Sequence, residues 1–580
     1  MLYRLRCVSA RISTHNRTLA LKKQAGLIPE AFQLAPDRFR PSAREYTVGI
    51  SLCGKAKFWQ DACQLIEKMA ETQVNPNIFS YNAAISACEK AGHWQGALSL
   101  FHALSKAEIR LDVISFNAAI SACQKGGQWQ RALSLFERMP KASICLDIIS
   151  YNAAISACEK GGQWQHALIL FQAMSTADID SDVVSYSAAI SACAKGSQWQ
   201  QALVLFQAVA RASISPNVIT YSAAISACEK GGQWEQALAL FGAMPKEKIR
   251  PNVISHNAVI SACEKGGQWQ QALALFEAMF EANVASDIIS YSAAISACEK
   301  GCQWQLALTL FEAIPNAKVC PNVISYNAAI SACEKGAQWQ RASTLFYAMP
   351  LAKIDADVVS YNAVISACEK GGQWQRALAL FYVMPMAKVD ADVVSYNVAI
   401  SVCEKGGQWQ QALALFEVMP VAKIRPNVVS CSAAISACER VGQCQQALTL
   451  FQEMLQAKIH PNVISYNAVI SACDKAGEWQ QALVFLEAMS HAKIVSDVIS
   501  YNSAMNACDK GGEWQHSLAL LEAMFESNIS LDVISYSTAI SACVKGEQQE
   551  LVLTLFEAIR SRLVRSSLRS APDRTLVDLS

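Results

Sequence analysis

The stretch ISACEKGGQWQQALALF, residues 260–276, recurs with small changes along almost the whole chain. Its cysteine returns every 35 residues, fifteen times, from Cys53, Cys88 and Cys123 to Cys543. All thirteen tryptophans share one register, from Trp59 and Trp94 to Trp409, then Trp479 and Trp514, with Cys444 and Gln549 at the two vacant places. A chain of 580 residues would otherwise suggest three or four globular domains of about 150 residues. A fixed period carried from residue 43 onwards indicates a stacked repeat array instead.

Fifteen units start at Ala43, Ile78, Val113, Ile148 and so on to Val533. Before the glycine pair, apolar residues stand at unit positions 1, 4, 8 and 11, which is one face of a helix. The lysine at position 13 falls in the last turn, where a cation suits the helix dipole. The glycines then supply a left-handed stop. After them, Trp, Ala, Leu, Phe and Met at positions 17, 20, 21, 24 and 27 form a second apolar stripe. Proline follows in many units (Pro140, Pro245, Pro315, Pro350) and is expected to end that helix. A lone hairpin cannot bury both stripes, so neighbours must stack. The expected fold is all-α: an α-solenoid, a right-handed superhelix of about 15 helix-turn-helix repeats with a concave groove. The first unit diverges, and the last lacks the Trp and the glycine pair, as a terminal cap would.

Composition narrows the classes. The chain is 52% hydrophobic, too apolar for a disordered protein, yet nothing approaches the roughly 18 consecutive apolar residues that span a bilayer. The 22 cysteines contain no CxxC, and most recur at one place per unit, which reads as a small buried hydrophobe. The formal net charge is +1, with +6 in residues 1–42 and +3 in residues 560–580, leaving −8 on the array. The leader, residues 1–42, is Arg-rich, and its first 29 residues contain no acid. An organellar transit peptide, to chloroplast or mitochondrion, is expected there, with a disordered basic tail as the alternative. Residues 43–567 form the array and residues 568–580 a short tail.

A mildly acidic array is an unusual footprint for a nucleic-acid binder. The charge within each unit partly answers this, because position 13 is basic in all fifteen. Stacking would align Lys90, Lys125, Lys160, Lys195, Lys230, Lys265, Lys300, Lys335, Lys370, Lys405, Arg440, Lys475 and Lys510 into a stripe able to hold phosphates. Glu at position 12 offsets it in part, and helix-end stabilisation is the alternative reading of these lysines.

The period of 35, the VISYN start, the CEK-GG turn, the QALALFEAM second half and the PN or xD ending resemble the pentatricopeptide repeat family, in its pure repeat type and similar to members in algal protists. The resemblance covers residues 43 to about 559. It implies sequence-specific binding of single-stranded RNA, one base per repeat. It implies further that positions 5 and 35 read each base and position 2 clamps it. The reading pairs are then Thr47 with Asn77, Asn82 with Asp112, Asn117 with Asp147, Asn152 with Asp182, and Ser187 with Asn217. They continue with Ser222 and Asn252, Asn257 and Asp287, Ser292 and Asn322, Asn327 and Asp357, and Asn362 and Asp392. The last four are Asn397 and Asn427, Ser432 and Asn462, Asn467 and Asp497, and Asn502 and Asp532. The clamps are Phe79, Ile114, Ile149, Val184, Ile219, Ile254, Ile289, Ile324, Val359, Val394, Val429, Ile464 and Ile499.

Helical spacing is read here as putting positions 2, 5, 9 and 12 on the face opposite the apolar stripe. Packing between neighbouring units is the other reading of the aliphatic position 2. An internal linkage favours readout: in units 2 to 14 every Ser at position 5 goes with Asn at position 35, and eight of nine Asn go with Asp. Copying of whole units would give the same linkage. In the family's code, Asn with Asp resembles a uridine reader, Ser or Thr with Asn an adenosine reader, and Asn with Asn a cytidine-leaning one. Units 1 to 14 then spell AUUUAAUAUU(C/U)AUU, an A/U-rich target of about 14 nucleotides.

No deaminase signature, phosphate loop or metal-ligand cluster appears, so no enzyme activity and no cofactor is expected. The function expected is RNA binding in organellar RNA processing, stabilisation or translation. The alternatives are a protein-binding scaffold of tetratricopeptide type, favoured by the acidic array, and an editing factor whose protein partner supplies catalysis in trans.

Overall fold

The computed structural model describes residues 42–553 and 555, apart from 108 and 528. The expected leader and tail lie outside the described residues, except that Ser42 caps the first helix. Among the described residues every regular element is a helix, and no helix is long and apolar enough to cross a membrane. Each unit is a leading helix, such as Val113–Lys125, a three-residue connection, and a trailing helix, such as Trp129–Lys141. Consecutive pairs pack as an α-solenoid. Contacts divide the chain into two units of structure, Met1–Ala297 and Cys298–Ser580, and each is built from the same repeat. Within each, successive leading helices lie side by side.

The leading helix starts where it does because position 35 of the preceding repeat is an N-cap. Asp112 accepts from the Ser115 amide at 2.8 Å, which satisfies one of the free N–H groups of the first turn. The helix stops at the glycine pair, and the two glycines do different work. The second takes the left-handed conformation (Gly127, φ 69°). The first leaves room for a neighbour: a Cβ on Gly126 would lie 2.3 Å from Trp94 Cδ1 of the preceding repeat. The place is not confined to glycine, since Ala91 follows Trp59, Val441 follows Trp409 and Ala476 follows Cys444.

The prolines depart from expectation. Pro140, Pro315, Pro350 and Pro420 sit inside their helices, one residue from the end, whereas Pro245 and Pro385 lie beyond theirs, Trp234–Ala243 and Trp374–Val383. A proline at the next-to-last position loses one ladder bond just where the ladder ends anyway, so the helix runs one residue further.

Between repeats, the position 24 phenylalanine meets the position 4 ring of the next repeat edge to face, as in Phe136–Tyr151 at 5.0 Å. His256 takes the tyrosine's place against Phe241 at 4.8 Å, and burial pushes its pKa down. The recurring cysteines are fully buried free thiols, and burial raises Cys158, Cys228 and Cys298 to about 11.

Candidate nucleic-acid interface

Each repeat brings positions 5 and 35, thirty residues apart, within hydrogen-bond distance wherever position 5 is asparagine. The Nδ2 of Asn82 donates to Asp112 at 3.1 Å, Asn117 to Asp147 at 3.1 Å, and Asn152 to Asp182 at 3.2 Å. Asn257–Asp287 and Asn327–Asp357 are at 3.0 Å, and Asn362–Asp392 at 3.3 Å. Asn467–Asp497 is at 3.0 Å and Asn502–Asp532 at 3.1 Å, while Asn397 donates to Asn427 at 3.4 Å. Burial alone would raise the Asp147 carboxyl, but bonds from Ser150 and Asn117 outweigh it and hold its pKa below the usual range. Asp182, Asp287, Asp357, Asp392 and Asp532 shift the same way for the same balance of causes.

The face expected for position 5 needs correction. At about 100° per residue, position 2 stands about 140° from the centre of the 1, 4, 8, 11 stripe, but position 5 stands only about 80° away. The structure accordingly sets position 5 in the seam between leading helices, where Asn82, Asn117, Ser187 and Ser432 are buried.

The serine and threonine repeats are arranged otherwise. Ser187 donates to its own helix at Val183 O (2.6 Å), Ser222 to Val218 O, Ser432 to Val428 O and Thr47 to Ala43 O. Their partners Asn217, Asn252, Asn462 and Asn77 turn Oδ1 to cap the next helix. Among the described residues no hydrogen bond joins those four pairs.

Position 2 does not pack between neighbours. The thirteen side chains from Phe79 to Ile499 are 51–70% exposed, so each of repeats 2 to 14 offers one aliphatic or aromatic face to solvent.

The lysine stripe is present but mostly neutralised. The basic residue at position 13 pairs with the acid at position 12 of the preceding repeat. Lys125–Glu89 is at 2.8 Å, Lys195–Glu159 at 3.0 Å, Lys265–Glu229 at 2.9 Å, Lys335–Glu299 at 3.1 Å and Lys370–Glu334 at 2.8 Å. Lys405–Glu369, Arg440–Glu404, Lys475–Glu439 and Lys510–Asp474 continue the ladder. Three rungs are missing. Lys90, Lys160 and Lys230 follow Gly54, Gln124 and Ala194, and they form no ion pair among the described residues. Sequence reading saw the offset by glutamate, but not that each glutamate serves the lysine of the next repeat.

Position 3 was missed altogether. It is serine in repeats 2 to 15 apart from Thr220, and it is fully buried. Ser115 Oγ lies 2.6 Å from Asn82 Oδ1 and 2.7 Å from Asp112 Oδ1. The near-invariance of a polar residue on a helix otherwise packed with Ala, Ile and Cys was the available signal. Among the described residues no three His, Cys, Asp or Glu side chains converge as a metal site would require.

The molecule is therefore an α-solenoid of two-helix, 35-residue repeats, each presenting a capped polar pair and an exposed apolar side chain at one end of its leading helix. Residues 34–91, 204–265 and 414–476 match the pentatricopeptide repeat domain. Six segments between 76 and 510 match the PPR repeat family, and residues 184–212 and 394–424 match the PPR repeat. Together these cover more than half of the chain, which belongs to the pentatricopeptide repeat family. The structure resembles that of the maize pentatricopeptide repeat protein PPR10 (17% identity, TM-score 0.53, 94% of this chain and 83% of that one). It also resembles PPR10 in complex with an 18-nt psaJ RNA element (17% identity, TM-score 0.54, 95% and 89%). No curated protein matches the chain in sequence.

Proposed function

We propose that this protein binds single-stranded RNA sequence-specifically, one base per readable repeat, and serves transcript processing, stabilisation or translation in a chloroplast or mitochondrion. The observation that carries the reading is the Asn–Asp pair. One Nδ2 hydrogen is spent on the aspartate and the other is left, while the carboxylate keeps lone pairs to spare. A donor and an acceptor side by side complement a uridine edge, which offers a carbonyl oxygen and the N3 hydrogen. In the Asn397–Asn427 repeat the second residue ends in an amide that can donate, which suits the acceptor N3 of cytidine. Where Asn217 or Asn462 caps with Oδ1, its amide hydrogens stay available to the N1 acceptor of adenosine. The exposed position 2 side chains flank successive bases, and phosphates follow the lysine row. The RNA element bound by PPR10 supports the same reading. The leader rich in arginine supports the organelle. The role is binding and not catalysis, with any chemistry brought by a protein partner.

The test is binding of the full chain to AUUUAAUAUUCAUU RNA beside its scrambled and duplex forms, at fixed salt. Tight binding to the first alone is expected. Equal, weak binding to all three would refute it and favour a protein-binding scaffold, to which the neutralised lysine row is well suited.

A further inference from the structure

We propose that the serine at position 3 of the following repeat is a third member of the reading sites built on asparagine, a positioning residue that fixes which edge of the asparagine amide meets the base. The inference rests on the RNA reading above. It follows from counting hydrogen bonds around Asn117. Its Nδ2 gives one hydrogen to Asp147 at 3.1 Å, and its Oδ1 receives Ser150 Oγ at 2.7 Å. Ser150 is fully buried and its single proton is shared with Asp147 Oδ1 at 2.6 Å. One N–H is left for a ligand. Turning the amide by 180° would set its oxygen against the carboxylate, so the orientation is held from both sides.

The same closed triangle recurs wherever position 5 is asparagine, with one exception. Ser115, Ser185, Ser290, Ser360, Ser500 and Ser535 lie 2.6–2.7 Å from their asparagines, and Ser430 lies 2.5 Å from Asn397. Where position 5 carries a hydroxyl, position 3 of the next repeat meets it in three repeats: Thr47–Ser80 at 2.9 Å, Ser187–Thr220 at 2.8 Å, Ser432–Ser465 at 2.8 Å. After Ser222 and Ser292, it turns instead to a backbone carbonyl, Ser255 to Asn252 O and Ser325 to Asn322 O, both at 2.8 Å. The exception is Asn362. Ser395 bonds Asp392 at 2.9 Å without reaching the amide, and Asn362 Oδ1 is buried with no partner. Its bond to Asp392, at 3.3 Å, is the longest of the Asn–Asp set. At the eight closed triangles the base is thus read by residues of two successive repeats, and repeat 10 is the loosest uridine reader.

The test uses the full chain and a single-base competition series at nucleotides 3 and 10 of the target. Ser150→Ala should lower the uridine-over-cytidine preference at nucleotide 3 by about fivefold, the worth of one hydrogen bond. Preferences at the other nucleotides should stay unchanged. Ser150→Thr should retain the preference, since Thr220 already fits the same place. Wild-type protein should discriminate less at nucleotide 10 than at nucleotide 3. An unchanged preference in Ser150→Ala would overturn the proposal, as would an equal loss at every nucleotide, which marks a purely structural serine. Wild-type protein indifferent to the base at nucleotide 3 would instead refute the RNA reading itself.

Discussion

Closing the gaps in the ion-pair ladder tests which lysines hold phosphate. The paired lysines are 34–51% exposed, but each faces a carboxylate within about 3 Å, so a phosphate would have to compete for it. Lys160 and Lys230 have no such competitor, because position 12 of the preceding repeat is Gln124 or Ala194. Gln124→Glu with Ala194→Glu would add the missing acids without touching a lysine. Neighbouring repeats hold glutamate at the same place, at 2.8–3.0 Å from the lysine, so both should be accommodated. Exposed pairs of this kind contribute about 0–1 kcal/mol each, so the melting temperature should stay level or rise slightly. For a single strand, log K falls with log salt at about 0.7 per phosphate neutralised. Removing two free lysines from the RNA path should therefore flatten the slope by about 1.4. Affinity measured across a salt series reads this directly. A slope unchanged from wild type, in a variant that still binds the target, would refute the assignment of phosphate contact to the unpaired lysines.

Three further outcomes are expected. Asn117→Ser with Asp147→Asn should convert repeat 3 from uridine to adenosine preference, read by single-base competition at nucleotide 3. Gly126→Ala would place a methyl 2.3 Å from Trp94, and should destabilise the protein by about 1–3 kcal/mol in denaturant unfolding. Acid should loosen the array. Asp147, Asp182, Asp287, Asp357, Asp392 and Asp532 have pKa values below the ordinary 3.8 in the folded chain. Their stabilisation is complete above that value and is lost as pH falls through the lower folded values. Melting temperature should thus drop as pH falls below about 4, and the Asp147→Asn, Asp182→Asn, Asp287→Asn triple variant should drop less steeply.

Much of this was legible in the sequence, because a repeat states its own boundaries fifteen times over. The period, the glycine pair and the tryptophan register placed both helices, and the linkage of positions 5 and 35 pointed to a contact that Asn117 and Asp147 make. The misreadings share a cause. Helical periodicity describes one helix against one core, but a leading helix here has neighbours on both sides. Position 5 therefore lies in a seam although it is outside the apolar stripe, and Ser150 is buried although it is polar. The ladder was hidden for the same reason, since Glu89 and Lys125 are 36 residues apart and meet only by stacking.

The doubling of roles at position 35 accounts for its narrow composition. It is aspartate or asparagine in all of repeats 1 to 14. A helix N-cap needs a short side chain with an oxygen acceptor, and Asp and Asn are among the best. Both satisfy the Ser amide at the start of the next helix, as Asp147 does at 2.8 Å and Asn252 at 2.9 Å. They differ in the rest of the side chain, where one keeps a carboxylate oxygen and the other an amide that donates. Capping therefore confines the position to a near-binary choice, and that choice is donor against acceptor. Position 5, which carries no cap, supplies the remaining variety through Asn, Ser or Thr. Under the proposed reading, the target alphabet a repeat can address is in this way set by what the next helix tolerates at its start.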